Sequence, residues 1–151
     1  MEATVKKNKP KSFSYSFGTT KTAEEVFNFL LEVTNWWTGI HEETIKGKSA
    51  EINDEFSFSA GGGVHFSKQR LIELVPYSKI VWRVTESDLT FLKAPDEWVN
   101  TKLCFDITTE GKKTTITFTH SGLTPLFECY NGCSTAWTAY MKNLEQSLIT
   151  G

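Results

Sequence analysis

Residues 124–151 read TPLFECYNGCSTAWTAYMKNLEQSLITG, and their apolar spacing decides the fold. Leu126, Tyr130, Cys133, Trp137, Tyr140, Met141, Leu144 and Leu148 recur in steps of three and four with one adjacent pair. That rhythm puts them on one face of a helix of about six turns. Glu128, Thr138, Lys142 and Glu145 fall on the other faces. Thr124 is a good N-cap, with Pro125 at the first helical position. A lone helix with one long apolar stripe needs an apolar surface of matching length.

Working upstream, that surface is predicted to be a sheet. Lys113–His120 and Thr101–Thr109 alternate apolar and polar residues and meet at Glu110-Gly111, a hairpin signal. Leu103, Phe105 and Ile107 share one face, as do Ile116, Phe118 and His120. Lys79–Val84 places Ile80, Trp82 and Val84 on one side. Val64–Leu74 is a longer strand that ends before a turn at Pro76. Glu55–Ala60 puts Phe56 and Phe58 on one face, and Gly61-Gly62-Gly63 reads as a hairpin tip. Glu43–Lys46 is a short exposed strand. Between strands, residues 86–98 read as a long loop in which Phe91, Leu92 and Trp98 are partly buried, either a lid or a loop anchored by its aromatics.

Nearer the start, Phe13, Tyr15 and Phe17 alternate with serines in a half-buried strand that ends at Gly18. Thr20 or Thr22 can cap a helix carrying Val26, Phe27, Leu30 and Leu31, with Glu24 and Glu25 in its first turn. Val33–Gly39 reads as a second short helix or helical turn. The order is strand, two short helices, about six further antiparallel strands and one long helix. This is an α+β chain whose sheet, about six to seven strands in all, curls around the helix.

The length of 151 residues suits one domain over residues 12–151, large enough to bury a core without disulfides or metal. Residues 1–11 carry Lys6, Lys7, Lys9 and Lys11 ahead of the first periodic segment, and a disordered, solvated tail is expected there. Net charge is -2 with both signs interspersed, which argues against a nucleic-acid partner. No run approaches the ~18 apolar residues of a membrane span. No apolar segment follows Met1, and the cysteines number three, so free thiols in the cytoplasm are expected. Aromatic residues reach 13%, a content that can line a cavity as well as fill a core.

Several of these residues carry a family resemblance. Val26-Phe27, Trp36-Trp37, Glu97-Trp98, His120-Ser121-Gly122-Leu123, Cys129-Tyr130, Cys133-Ser134, Trp137 and the closing Ser147–Gly151 together resemble the activator of heat-shock-protein-90 ATPase homologue-like group. That group belongs to the START-related (SRPBCC) superfamily. The resemblance covers roughly residues 12–151. It implies a helix-grip fold with a cavity between sheet and long helix, of the kind that holds lipids, sterols, plant hormones or polyketides elsewhere in the superfamily.

The expected function is therefore binding of a small hydrophobic or amphipathic molecule. The candidate wall is Trp37, Phe56, Phe58, Trp82, Trp98, Phe105, Phe118, His120, Tyr130, Cys133, Trp137 and Met141. His120 and Tyr130 would orient the ligand. A packed core without a useful void is the competing reading. His120 faces inward, where it can touch a ligand or act as acid or base, or can simply be hydrogen-bonded in place. Trp36-Trp37 either gates the pocket or anchors the short helix with one ring half exposed.

Cys129 and Cys133, one helical turn apart, look like a metal set with His120, but no fourth ligand is visible, and structural thiols are the better reading. Gly61–Gly63 does not precede a helix and is no phosphate loop. Asp96 and Glu97 are neighbours that point apart in an extended segment, and no nucleophile–base order is evident. No cofactor or metal is implied. The alternatives to a binding module are a cyclase- or hydrolase-type enzyme using the same pocket and a chaperone-regulating, protein-binding domain.

Overall fold

The computed structural model describes residues 11–150. The tail expected over residues 1–11 lies outside the described residues, apart from Lys11, which is exposed. The sheet has seven strands: β1 (Phe13–Thr19), β2 (Thr44–Gly47), β3 (Glu55–Ala60), β4 (His65–Val75), β5 (Lys79–Leu89), β6 (Lys102–Glu110) and β7 (Lys113–Ser121). All neighbours are antiparallel in the order β1-β7-β6-β5-β4-β3-β2. The last six strands form a meander, and β1 closes on its far side against β7. Helix α1 (Ala23–Leu31) follows β1, and helix α2 (Tyr130–Thr150) ends the described chain. The predicted α+β helix-grip architecture is the one found.

Local chemistry explains the elements. Thr22 and Glu25 make a capping box at α1: the Glu25 amide donates to Thr22 Oγ1 at 3.1 Å and the Thr22 amide to Glu25 Oε1 at 2.9 Å. Two orphan amides are thereby satisfied, and Val26, Phe27 and Leu30 are buried. At the far end the Ser49 hydroxyl donates to the Leu31 carbonyl at 2.6 Å. The chain then makes one 3-10 turn, Val33–Asn35, the helical turn of the two forms expected over 33–39, and it ends short of that range. Between β6 and β7, Gly111 takes φ +62° in the tight turn closed by Glu110 and Lys113, a conformation glycine adopts without strain. Register shifts at Lys68/Gln69 and at Leu71/Glu73 bulge β4 against β5. Bulges bend strands, and these help the sheet curl around α2.

Two boundaries differ from expectation. Strand β5 continues to Leu89, where a loop from residue 86 was expected. Ser87 and Asp88 are poor strand formers, yet residues 86–89 pair with residues 65–68 of β4, and Glu86 and Asp88 face solvent while Leu89 is buried. The ladder overrides local propensity. Helix α2 starts at Tyr130 instead of Pro125. Thr124 caps only a single turn, through its carbonyl to the Phe127 amide (2.9 Å) and its hydroxyl to the Leu126 amide (3.3 Å). Leu126, expected on the buried stripe, is 79% exposed. The carboxylate of Glu97 accepts from the amides of Glu128 (2.8 Å) and Cys129 (3.3 Å), so a loop far away in sequence fixes where the helix begins.

All five tryptophans are buried, each at 2% exposure or less. Trp36 and Trp37 are both inside, which corrects the expectation that one is half exposed. The Trp36 indole donates to the Leu30 carbonyl at 2.9 Å and its ring meets Phe105 edge-on at 5.0 Å. Trp36, Trp82, Phe105 and Phe118 fill the middle of the grip.

Candidate functional site

The core is open at one end. A cavity of about 250 Å³ lies between the first half of α2, strands β3 and β4 with the turn joining them, and the 90–101 loop. Trp37 is stacked on Phe58 at 3.9 Å and lies 5.0 Å from Trp137, which in turn stacks at 6.0 Å on Trp98. These rings form the floor and two walls. Phe91, 56% exposed, stands at the mouth.

Of the residues proposed from sequence, Trp37, Phe58, Trp98, Cys133 and Trp137 line this cavity together. Phe56, Trp82, Phe105, Phe118 and Met141 are fully buried behind them, packed as core. Phe118 touches Trp137 at 4.6 Å and Phe105 at 5.2 Å, so it supports the floor from beneath. Tyr130 is half-buried at the start of α2, away from the wall.

His120 is also behind the wall, at 0% exposure, with both ring nitrogens occupied. The Trp137 indole can only donate, and it does so to His120 Nδ1 at 3.0 Å. The proton therefore sits on Nε2, which donates to Thr101 Oγ1 at 2.8 Å; that hydroxyl donates onward to the Trp98 carbonyl at 2.6 Å. Burial, with a smaller contribution from nearby His65, pushes the His120 pKa down to about 3. A neutral, fully bonded imidazole holds Trp137 and the 98–101 segment in place. It presents no free atom to a ligand.

His65 is different. It begins β4, lines the cavity, and meets Trp98 edge-on at 4.8 Å and Phe58 at 5.3 Å. Its Nε2 is buried without a protein partner. Burial first, then the proximity of His41, lowers its pKa to about 4, so it is neutral at pH 7. The cavity rim is set by Glu43. Its carboxylate accepts from the amides of Gly39 (2.8 Å), Ile40 (3.0 Å) and His41 (2.7 Å) and from the Tyr140 hydroxyl (2.5 Å). Burial alone would raise the Glu43 carboxyl, but the hydrogen bonds from Tyr140 and from the His41 and Ile40 amides outweigh it and hold it low. Burial and the Glu43 carboxylate together push Tyr140 up, so it stays a hydroxyl donor.

His65, His41, Tyr140 and Phe91 line the cavity but were absent from the sequence-based set. Tyr140 was visible on the helix stripe. His65 was detectable by strand parity, since residues 65, 67, 69 and 71 share a face.

The thiols do not assemble a metal set with His120, whose nitrogens are occupied, and no cluster of three or more potential ligands exists among the described residues. Cys129 and Cys133 are free thiols. Cys129 is the more acidic, because it receives a hydrogen bond from Cys133, overcoming burial, and another from the Trp98 indole at 3.3 Å. Donating that bond, and burial, push Cys133 up.

With fold and cavity in view, the family can be read. Residues 20–148 match the family described as Activator of Hsp90 ATPase homolog 1-like protein. The chain belongs to that family. No curated protein matches it. Solved structures share the fold of this Activator of Hsp90 ATPase homolog 1-like chain over nine-tenths or more of its length. The Aha1 dimer of Colwellia psychrerythraea is 20% identical with a TM-score of 0.70, covering 93% of this chain and 98% of that one. A protein from Mesorhizobium loti is 16% identical with a TM-score of 0.69, covering 90% and 95%. An HSP90 activator from Plasmodium falciparum is 18% identical with a TM-score of 0.58, covering 91% and 95%. At these identities the likeness is one of fold. The family match confirms the resemblance read from the sequence. No helix among the described residues is long and apolar enough to cross a membrane.

Proposed function

We propose that the protein binds one small hydrophobic or amphipathic molecule in the cavity at the open end of the grip. The observation that carries this reading is the cavity itself: about 250 Å³ walled by tryptophan, phenylalanine and tyrosine rings. Pockets of this kind gain affinity from apolar contact and orientation from a few polar groups. Trp37, Phe58, Trp98 and Trp137 supply the contact, and His65 supplies a polar atom where His120 was expected to. Phe56, Trp82, Phe105, Phe118, His120 and Met141 act from behind, keeping the wall in place. The free thiols fit a reducing, cytoplasmic setting.

Native mass spectrometry of the purified protein, followed by denaturing extraction, tests the proposal. The expected result is a stoichiometric small molecule that disappears in Ala136→Trp, which fills the cavity from α2. A clean apo mass, with no added aromatic compound taken up by the wild type either, would sink it.

A chaperone-regulating role is the second reading. Exposed Phe91 and Leu126 favour it; they lie on two loops tied together by the Lys93 amide and Glu128 Oε1 at 3.0 Å. It predicts that the protein raises the ATPase rate of Hsp90 and that Phe91→Ser with Leu126→Ser removes the effect. An enzyme needs polar groups converging inside the pocket, and His120 is not available to be one of them.

A further inference from the structure

The outward face of the sheet carries a row of like charges. Register fixes it: Glu55 of β3 stands opposite Arg70 of β4, Arg70 opposite Arg83 of β5, Arg83 opposite Lys102 of β6, and Lys102 opposite Ser121 of β7. All five have the strand parity that points away from α2, since their chain neighbours Phe56, Gln69, Trp82, Leu103 and His120 are buried. Neighbouring strands lie about 4.8 Å apart, so the three cations are spread over about 10 Å. Cations directly opposite each other across a ladder weaken it.

The carboxylates nearby leave two of the three cations uncompensated. Glu55 binds Arg70, with Nη2 at 2.8 Å and Nε at 3.0 Å, and also meets Lys68 at 3.7 Å. Glu86 lies 3.9 Å from Lys68, and Asp106, further along β6, lies 3.6 Å from Lys79. Among the described residues neither Arg83 nor Lys102 makes an ion pair, and Arg83 Nε is buried without a hydrogen-bond partner. Lys102 is exposed and Arg83 half-buried, so a partner can reach both side chains. Threonine at either position would suit the strand and remove the repulsion.

We propose that Arg83 and Lys102, with Arg70 beside them, dock an acidic segment of a partner protein on the outward face of the sheet. The planar fork of Arg83 suits a carboxylate, and Lys102 adds a second charge roughly 5 Å away. An open sheet face fits a macromolecular segment better than a small anion, which needs a concave site. The shortness of the row selects among polyanions. A nucleic-acid duplex carries a charge about every 1.7 Å and would run past the cations onto Glu55 and Glu73, which stand on the same face. A segment with two or three carboxylates among neutral residues meets the cations alone. The strip lies on the opposite face of the sheet from the cavity and does not depend on it.

Fluorescence anisotropy at low ionic strength reads this with a labelled peptide of alternating glutamate and serine and with its glutamine counterpart. The glutamate peptide should bind roughly tenfold or more tighter. Arg83→Gln and Lys102→Gln should each weaken it roughly three- to fivefold. Lys112→Gln, the same charge change at an exposed lysine in the β6–β7 turn, should leave it within about twofold. Lys102→Gln should also raise the melting temperature by about 1–2 °C, because the cation opposite Arg83 is gone. Equal losses from all three substitutions would reduce the binding to net charge and overturn the proposal, as would no binding by the glutamate peptide. A labelled single-stranded oligonucleotide that binds more tightly than the peptide and is released by Arg83→Gln would overturn it too, by showing that the row reads phosphates. A lower melting temperature for Lys102→Gln would show the row to stabilise the sheet, which removes the premise and overturns the proposal.

Discussion

His120 and His65 both pack against one tryptophan. Their rings meet Trp98 edge-on at 4.6 and 4.8 Å, and burial lowers both pKa values far below the usual histidine range. Around His120 every polar atom is paired, in a directed chain from Trp137 through His120 and Thr101 to the Trp98 carbonyl. Around His65 the polar atoms of the neighbouring residues are unpaired. The residue type is the same, but His120 is fully buried while His65 is partly exposed at the cavity, and hydrogen-bond satisfaction separates the two regions further. A satisfied buried group holds structure, and an unsatisfied one is kept for some other reason.

The largest effect that could break this comparison is expected at Trp137, which touches both regions. Trp137→Ala should cost about 3–5 kcal/mol in urea denaturation and abolish ligand uptake, since it removes the cavity floor and leaves His120 Nδ1 unpaired. Uptake that survives in the folded variant would take α2 out of the site. Next, His120→Asn should cost about 2–3 kcal/mol by breaking a buried network, while His65→Leu should change stability by less than ~1 kcal/mol. Equal losses from the two would erase the distinction.

Acid sharpens it further. Both histidines are neutral in the fold, with pKa values of about 3 and about 4, whereas an unfolded histidine titrates near 6.5. The unfolded state therefore binds more protons below pH 6.5. Their stabilising contribution is complete above that pH and is lost as pH falls toward the folded values. Between pH 7 and pH 5 the loss should be about 2 kcal/mol for each histidine, measured as unfolding free energy against pH. His65→Leu should remove one share of that slope. The smallest expected effect is at the cap: Glu97→Gln should cost about 1 kcal/mol and loosen the first turn of α2, seen as faster amide exchange at Glu128 and Cys129. Unchanged exchange there would mean that the turn at Thr124 sets the helix start.

Much of the grip was readable because apolar alternation and the helical stripe are local signals, as in Phe105 against Phe118 or Trp137 against Met141. What escaped was decided at a distance. The start of α2 depends on Glu97, which the chain brings to Cys129 only after folding, so Thr124-Pro125 looked like the sufficient signal. Strand β5 runs on to Leu89 because β4 offers it a ladder, though Ser87 and Asp88 read as loop. The aromatic cavity wall was half visible: Phe58 could be placed by strand parity and Trp137 by the helical stripe. Which rings enclose a void and which close-pack depends on how side-chain volumes fit, and a one-dimensional pattern does not carry that. His65 was overlooked because attention to apolar faces passes over a polar residue of the same parity.

The pairing of β1 with β7 sets an order of events during synthesis. Phe13 lies opposite His120, so the first strand has no neighbour until the last one is made. The strands between them can pair in turn as they emerge, each with the one before. At about 5–20 residues per second, β1 and the apolar face of α1 wait on the order of 5–20 s for their partners. Through that interval Phe17, Phe27 and Leu30 have no core to enter. A nascent chain of this design has its longest exposure at its beginning, where a holding chaperone would find it.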